Sequence, residues 1–163
     1  MDEAKSRSAQ IGVNVDWHTQ DMRDLPWPGN FDGAFCFGNS FGYLDDEANA
    51  DFLNAVSLAL KPGGRFILDA PAVAECILPT FQPSRSFELG GIKVDIEHHY
   101  DHEQGRMFND FTFTRDGALK TSALRHSAPI PIASSTELLH DAGFESVAAY
   151  GSLTGEPFET WRA

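Results

Sequence analysis

Three short segments set an acid or amide beside an apolar side chain: Asp21-Met22, Asn39-Ser40-Phe41-Gly42-Tyr43 and Asp69-Ala70-Pro71. A carboxylate accepts a hydrogen bond from an exocyclic amine, and a flexible thioether packs on the face of a flat ring. Asp21 followed by Met22 therefore suits an adenine ring. The plainer reading makes Asp21 a turn residue that caps a nearby backbone amide. Asn39-Ser40 reads equally as loop chemistry, and Asp69 as a cap for the segment after it. Ser40 has no G-x-S-x-G elbow around it, which argues against a hydrolase nucleophile. His98, His99 and His102 invite a metal site, yet adjacent strand residues point to opposite faces and cannot easily share one ion. A solvated hairpin accounts for them, and no metal is expected. Tyr100 and His126 have the chemistry of a general base, with satisfied sheet positions as the plainer alternative. Phe108, Phe111 and Phe113 read as core. No catalytic residue is singled out.

The elements that must position these groups are marked in the sequence. Asp2 to Gln10 reads as the last turns of a helix stopped by Gly12. Val13, Val15 and Trp17 alternate with polar residues up to His18, the period of a strand. Phe31 to Gly38 is a nearly continuous apolar run, expected to be a strand buried on both faces. Asp45-Asp46-Glu47 then supplies a cap and first-turn acids to a helix whose stripe is Phe52, Leu53, Val56 and Leu60. A turn at Lys61-Pro62-Gly63-Gly64 leads into Arg65 to Pro71, so a strand, helix and strand follow at the spacing of a right-handed crossover. Two adjacent parallel strands are implied. From Ser86 to His126 the alternation predicts an antiparallel meander of three or four strands, with turns at Gly105 and Asp116-Gly117. Ser134-x-x-Glu137 is a capping-box candidate for a helix ending at Gly143, and Glu145 to Tyr150 reads as a last short strand.

Bulk properties narrow the class. A length of 163 residues, 42% of them hydrophobic, suffices for one domain with a core. The net charge of −12 argues against nucleic acid or an anionic membrane as the main partner, and favours a small molecule. Cys36 and Cys76 sit in apolar contexts without metal-type spacing, so both read as buried thiols in a reducing, cytoplasmic setting. Neither a signal peptide nor a membrane-length apolar run is seen.

In order and spacing, HTQDMRDLPW, FDGAFCFGNSFGYL and LNAVSLALKPGGRFILDAP are similar to the middle motifs of class I S-adenosylmethionine-dependent methyltransferases over roughly Met1 to Pro71. The later STELLHDAGFESVAAYG resembles the final helix and strand of the small-molecule members, with the alternating segment as their substrate-facing insertion. The resemblance implies an α/β fold: an incomplete Rossmann-like methyltransferase sheet carrying an antiparallel β-meander insertion. It further implies one partial domain over 1–163, with a cofactor-side α/β part at 1–75, the insertion at 84–128 and a closing helix and strand at 133–152. By position, Asp21 and Met22 contact adenine, and Asn39, Ser40 and Phe41 lie beside the methionine moiety of S-adenosylmethionine. The implied reaction is methyl transfer to a small-molecule acceptor. The family's Asp/Glu-x-Gly-x-Gly-x-Gly loop and ribose-binding acid are not found, and Thr160-Trp161-Arg162-Ala163 ends without the apolar segment of the family's last antiparallel strand, so the chain is expected to be truncated at both ends. Missing strands leave open edges, which predicts self-association into a homo-oligomer. Two rival readings follow: a non-catalytic, self-associating remnant with an incomplete cofactor site, and an unrelated α+β ligand-binding domain. The second rival requires that Phe31 to Pro71 not form a parallel pair.

Overall fold

The computed structural model describes residues 1–38, 40–70, 73–127 and 129–159. In chain order it contains α1 (Asp2–Gln10), β1 (Phe31–Cys36), α2 (Asp46–Ala59), β2 (Leu60–Leu68), α3 (Ala74–Ile77), a 3-10 turn at Leu78–Thr80, β3 (Ser84–Leu89), β4 (Ile92–Asp101), β5 (Arg106–Arg115), β6 (Ala118–Ser127) and α4 (Ile132–Asp141). β1 and β2 pair in parallel through Gly33–Arg65 to Cys36–Leu68, which removes the unrelated α+β reading. The register jumps between Phe31–Leu60 and Gly33–Arg65, so the Lys61-Pro62-Gly63-Gly64 turn is looped out within β2.

α2 forms where its first turn predicts. Asp45 is the N-cap, its carboxylate accepting from the Ala48 amide at 2.8 Å, with Asp46 and Glu47 next to the positive end of the helix dipole. At the other end the orphan carbonyls of Leu58 and Ala59 accept from the Gly29 and Asn30 amides, so the loop before β1 closes the helix. The apolar stripe buries Phe52, Leu53, Val56 and Leu60 together with Phe41 and Ala142. Ala34, Cys36, Phe66 and Leu68 meet this cluster from the sheet, and Leu138, Leu139 and Phe144 from the α4 region. Leu53 is fully buried, and a side chain so placed stabilises by about 1.5–3 kcal/mol.

α2 covers one face of the parallel pair, and the other face stays open. Phe35 is 72% and Ile67 55% exposed, with Phe31 and Phe37 also exposed, so burial of this strand on both faces does not occur. The ladder also stops at Cys36 rather than Gly38. Val13 to His18 forms no strand, because among the described residues no strand lies beside it to complete a ladder. Its alternating Val13, Val15 and Trp17 are exposed, and Trp17 donates from Nε1 to the Ser8 hydroxyl of α1 at 3.3 Å.

The meander has four strands in the order β3-β4-β5-β6. Asp116 and Gly117 both have positive φ (52° and 72°), as a type I′ turn demands, and Gly90-Gly91 (58° and 74°) closes the β3–β4 hairpin in the same sense. Val94, Ile96 and Met107 are buried on one side of the sheet. The expected capping box is not used: α4 starts at Ile132, two residues before Ser134, with Pro131 at the N-cap. Pro131 supplies no side-chain cap, and the Ile132 amide donates instead to both carboxylate oxygens of Glu75 on α3 at 3.1 Å. Gly143 follows the helix as expected. Glu145 to Tyr150 makes no strand, only an isolated bridge from Tyr150 to Pro157. Cys36 is half-buried, but Cys76 is exposed and so is not the buried thiol its apolar context suggested.

Candidate functional site

Because β1 and β2 are parallel, their carboxyl ends open on the same side, where loop amides and acids are unpaired by the ladder. The ends are tied together. The Asp69 amide donates to the Cys36 carbonyl at 2.9 Å, and the Asp69 carboxylate accepts from the Gly38 amide at 3.4 Å. Beyond them Ser40 donates from its hydroxyl to the Phe37 carbonyl at 3.4 Å. Asn39 lies outside the described residues. Phe41 is 5% exposed and belongs to the core cluster, so it anchors the loop from beneath.

Asp21 is half-exposed and held by its neighbour. Oδ1 accepts from the Arg23 amide and from Nε, both at 2.9 Å, and Oδ2 accepts from Nη2 at 2.7 Å. The Arg23 side chain, then its backbone amide, hold the Asp21 carboxyl down at about 2. The capping role of a turn residue is thus present, and Oδ2 still has a lone pair free for an external donor. Met22 packs against the cluster that contains Phe41, so the Asp21-Met22 pair puts its acid outward and its thioether on the core.

Two residues that sequence reasoning passed over organise the loop after β1. Asn49 on α2 is 1% exposed; its Oδ1 accepts from the Gly42 amide at 3.2 Å and its Nδ2 donates to the Leu44 carbonyl at 3.0 Å. Gly42 takes φ +93°, a conformation that a side chain would strain. Asn49 lies on the same helical stripe as Phe52, Leu53 and Val56, and an amide on an apolar stripe is the signal that could have found it. Arg106, at the start of β5, donates to the same Leu44 carbonyl at 3.1 Å and to Asp46 at 2.8 Å. It joins the meander to the loop, and no local pattern announces a contact 62 residues away.

At the same end of the meander lies an open cleft of about 520 Å³, lined by Leu78, Phe81, Pro83, His98, His99 and Tyr100. Tyr100 pairs across the ladder with Met107, the residue next to Arg106. His98 Nδ1 is 2.6 Å from Asn109 Oδ1, its cross-strand partner. Among the described residues no group of His, Cys, Asp or Glu is placed to hold a metal ion, and no helix is long and apolar enough to cross a membrane.

Residues 1–64 match a family model described as a methyltransferase domain. Over those residues the chain resembles a methyltransferase domain. This methyltransferase-like chain is similar in fold to an S-adenosylmethionine-dependent methyltransferase from Clostridium acetobutylicum, at TM-score 0.80 and 17% identity, covering 98% of this chain and 66% of that one. It is also similar to the CcbJ methyltransferase of Streptomyces caelestis, at TM-score 0.78 and 16% identity, over 98% and 65% of the two chains. A third similar structure is CalS10 with bound S-adenosylmethionine, an amino pentose methyltransferase from Micromonospora echinaspora, at TM-score 0.64 and 21% identity, over 94% and 66%. The chain thus spans about two thirds of the length of these structures. None of the curated proteins matches it. The fold is α/β and Rossmann-like, with the meander as its second part.

Proposed function

We propose that this chain takes part in S-adenosylmethionine-dependent methyl transfer to a small-molecule acceptor. The observation that carries the reading is the methyltransferase-domain match over residues 1–64, which includes Asp21-Met22, β1, the loop after it and α2. The residues present fit the adenine end of the cofactor. The free lone pair of Asp21 Oδ2 suits the exocyclic amine, and Met22 supplies an apolar flank. Asn39 and Ser40 border the methionine end in this reading, with the buried Phe41 anchoring their loop from beneath and Asn49 and Arg106 holding it. S-adenosylmethionine supplies an activated methyl group; the protein's part is to hold acceptor and donor in line and away from water. The net charge of −12 favours a cationic cofactor and a neutral or cationic acceptor over an anionic one. The free thiols of Cys36 and Cys76 suit a reducing, cytoplasmic setting. Calorimetric titration of the chain with S-adenosylmethionine and S-adenosylhomocysteine tests the proposal. Saturable heat is expected, and binding of neither overturns it.

A second reading is favoured by the open sheet face. Parallel sheets are normally covered on both faces, yet Phe31, Phe35, Phe37 and Ile67 are exposed opposite α2, and among the described residues no strand pairs with the outer edge of β1. In this reading the chain is a non-catalytic remnant with an incomplete cofactor site, and copies associate through the open face and strand edges. Sedimentation equilibrium at micromolar concentration separates the cases. A dimer that leaves both cofactor forms unbound is the expected signature, and a monomer sinks this reading.

A further inference from the structure

We infer that the cleft at the foot of the meander is a binding site for a small neutral molecule with a ring-shaped apolar body and one N–H or O–H donor, received by His98 Nε2. The inference rests on the methyltransferase reading only in identifying that molecule with the methyl acceptor.

The walls come first. Leu78, Phe81 and Pro83 line the open cleft together with His98, His99 and Tyr100 of β4, around about 520 Å³, within the range of small-molecule sites. The two sides are fastened together, because the His98 amide donates to the Pro83 carbonyl at 2.8 Å and so continues the edge of the meander into the segment that carries Phe81.

The imidazole is also fixed. His98 and Asn109 are directly opposed in the antiparallel register, so their side chains share a face, and the Nδ1–Oδ1 distance is 2.6 Å. An amide oxygen only accepts, so in this contact Nδ1 donates, and a ring carrying that one proton presents Nε2 as an acceptor. An acceptor held by a second-strand amide, beside three apolar side chains, selects a donor-bearing ring over one without a donor. Tyr100, on the same face of β4 as His98, adds a hydroxyl that can donate or accept. The site lies one ladder pair from Arg106, which grips the Leu44 carbonyl of the loop after β1, so a molecule in the cleft sits at the junction of the chain's two parts.

Two matched probes test this: para-cresol, which donates from its hydroxyl, and 4-methylanisole, which has the same ring and no donor. Both are titrated into the chain by NMR, read on the ring protons of Tyr100, Phe81 and His98. Para-cresol is expected to bind about fivefold more tightly than the anisole, the ratio of one neutral hydrogen bond. His98→Phe, which keeps an aromatic ring and removes the acceptor, is expected to equalise the two, while Asn109→Asp, which keeps an acceptor for Nδ1, retains the preference. A long-range nitrogen–proton correlation on His98 should show the proton on Nδ1 and a shift of Nε2 when para-cresol binds. Equal affinities in the unmodified chain, or a proton on Nε2, overturn the inference, as does the absence of saturable shifts at all three residues. S-adenosylhomocysteine titrated in parallel keeps the two claims apart. Para-cresol bound by a chain that binds neither S-adenosylmethionine nor S-adenosylhomocysteine removes the methyltransferase reading and leaves the cleft, whereas cofactor bound without para-cresol removes the cleft.

Discussion

Replacing Asn49 by Leu puts the organisation of the loop after β1 to a quantitative test. Asn49 is 1% exposed and makes two hydrogen bonds, accepting from the Gly42 amide and donating to the Leu44 carbonyl. Leucine has the same branched arrangement of side-chain heavy atoms, so no cavity forms, and the extra bulk of its methyls can only add to the loss from the polar contacts. The two abandoned groups fare differently. The Leu44 carbonyl keeps the Arg106 guanidinium, while the buried Gly42 amide loses the Asn49 carbonyl oxygen. Leaving one buried donor unsatisfied costs about 1–3 kcal/mol, and the central value of about 2 is the expected loss. In urea, with a slope of about 2 kcal/mol/M for a chain of this size, that loss lowers the midpoint by about 1 M. The slope itself should not change, because the rest of the core is intact. Hydrogen exchange supplies the local reading, in which the Gly42 amide loses protection in the variant while amides of β4 and β5 do not. A midpoint within about 0.3 M of the parent, or Gly42 protection unchanged, refutes the reasoning that Asn49 holds this loop.

Three further outcomes are expected. The Asp21 carboxyl should titrate at about 2, and Arg23→Ala should raise it only part of the way to 3.8, because the Arg23 backbone amide still donates. A depressed folded pKa means that this carboxylate's contribution is complete above the ordinary value near 3.8 and is lost as pH falls toward about 2; carboxyl-carbon NMR and acid unfolding of both chains check the value and the sign. Glu75→Ala should cost about 1 kcal/mol by removing the acceptor of the α4 N-terminus, whereas Glu75→Gln, which keeps an oxygen, should cost less than half of that; thermal melts that fail to separate the two count against the cap. Phe35→Asp places a charge on the open sheet face at a residue 72% exposed, so it should abolish association in sedimentation equilibrium and leave the melting temperature nearly unchanged. A dimer that persists in that variant moves the interface away from β1.

Local signals carried far where the stabilising partner is near in sequence. Asp45 caps α2 because the amide it accepts from is three residues on, and the stripe of Phe52, Leu53 and Val56 can be read because helical period alone sets its face. Asp116-Gly117 makes its turn because both residues tolerate positive φ. The same local logic failed at Ser134-x-x-Glu137, where the helix began earlier and took its acceptor from Glu75 on another element, 57 residues away. It failed again at Val13 to His18, whose alternation is real but has no neighbouring strand to make it a ladder.

By itself, then, the chain's residue order determines the parallel pair with its crossover helix, the antiparallel meander and the Asp21-Met22 motif, because each depends on periods, caps and turns a few residues long. Which groups face one another was left to the tertiary structure. Packing turned Phe41 inward, left Phe35 and Ile67 bare, set Asn49 and Arg106 on the same carbonyl of Leu44, and brought His98 and Asn109 within 2.6 Å beside Phe81. Such meetings depend on the register and docking of distant segments, and no local pattern of residues encodes the distance between them.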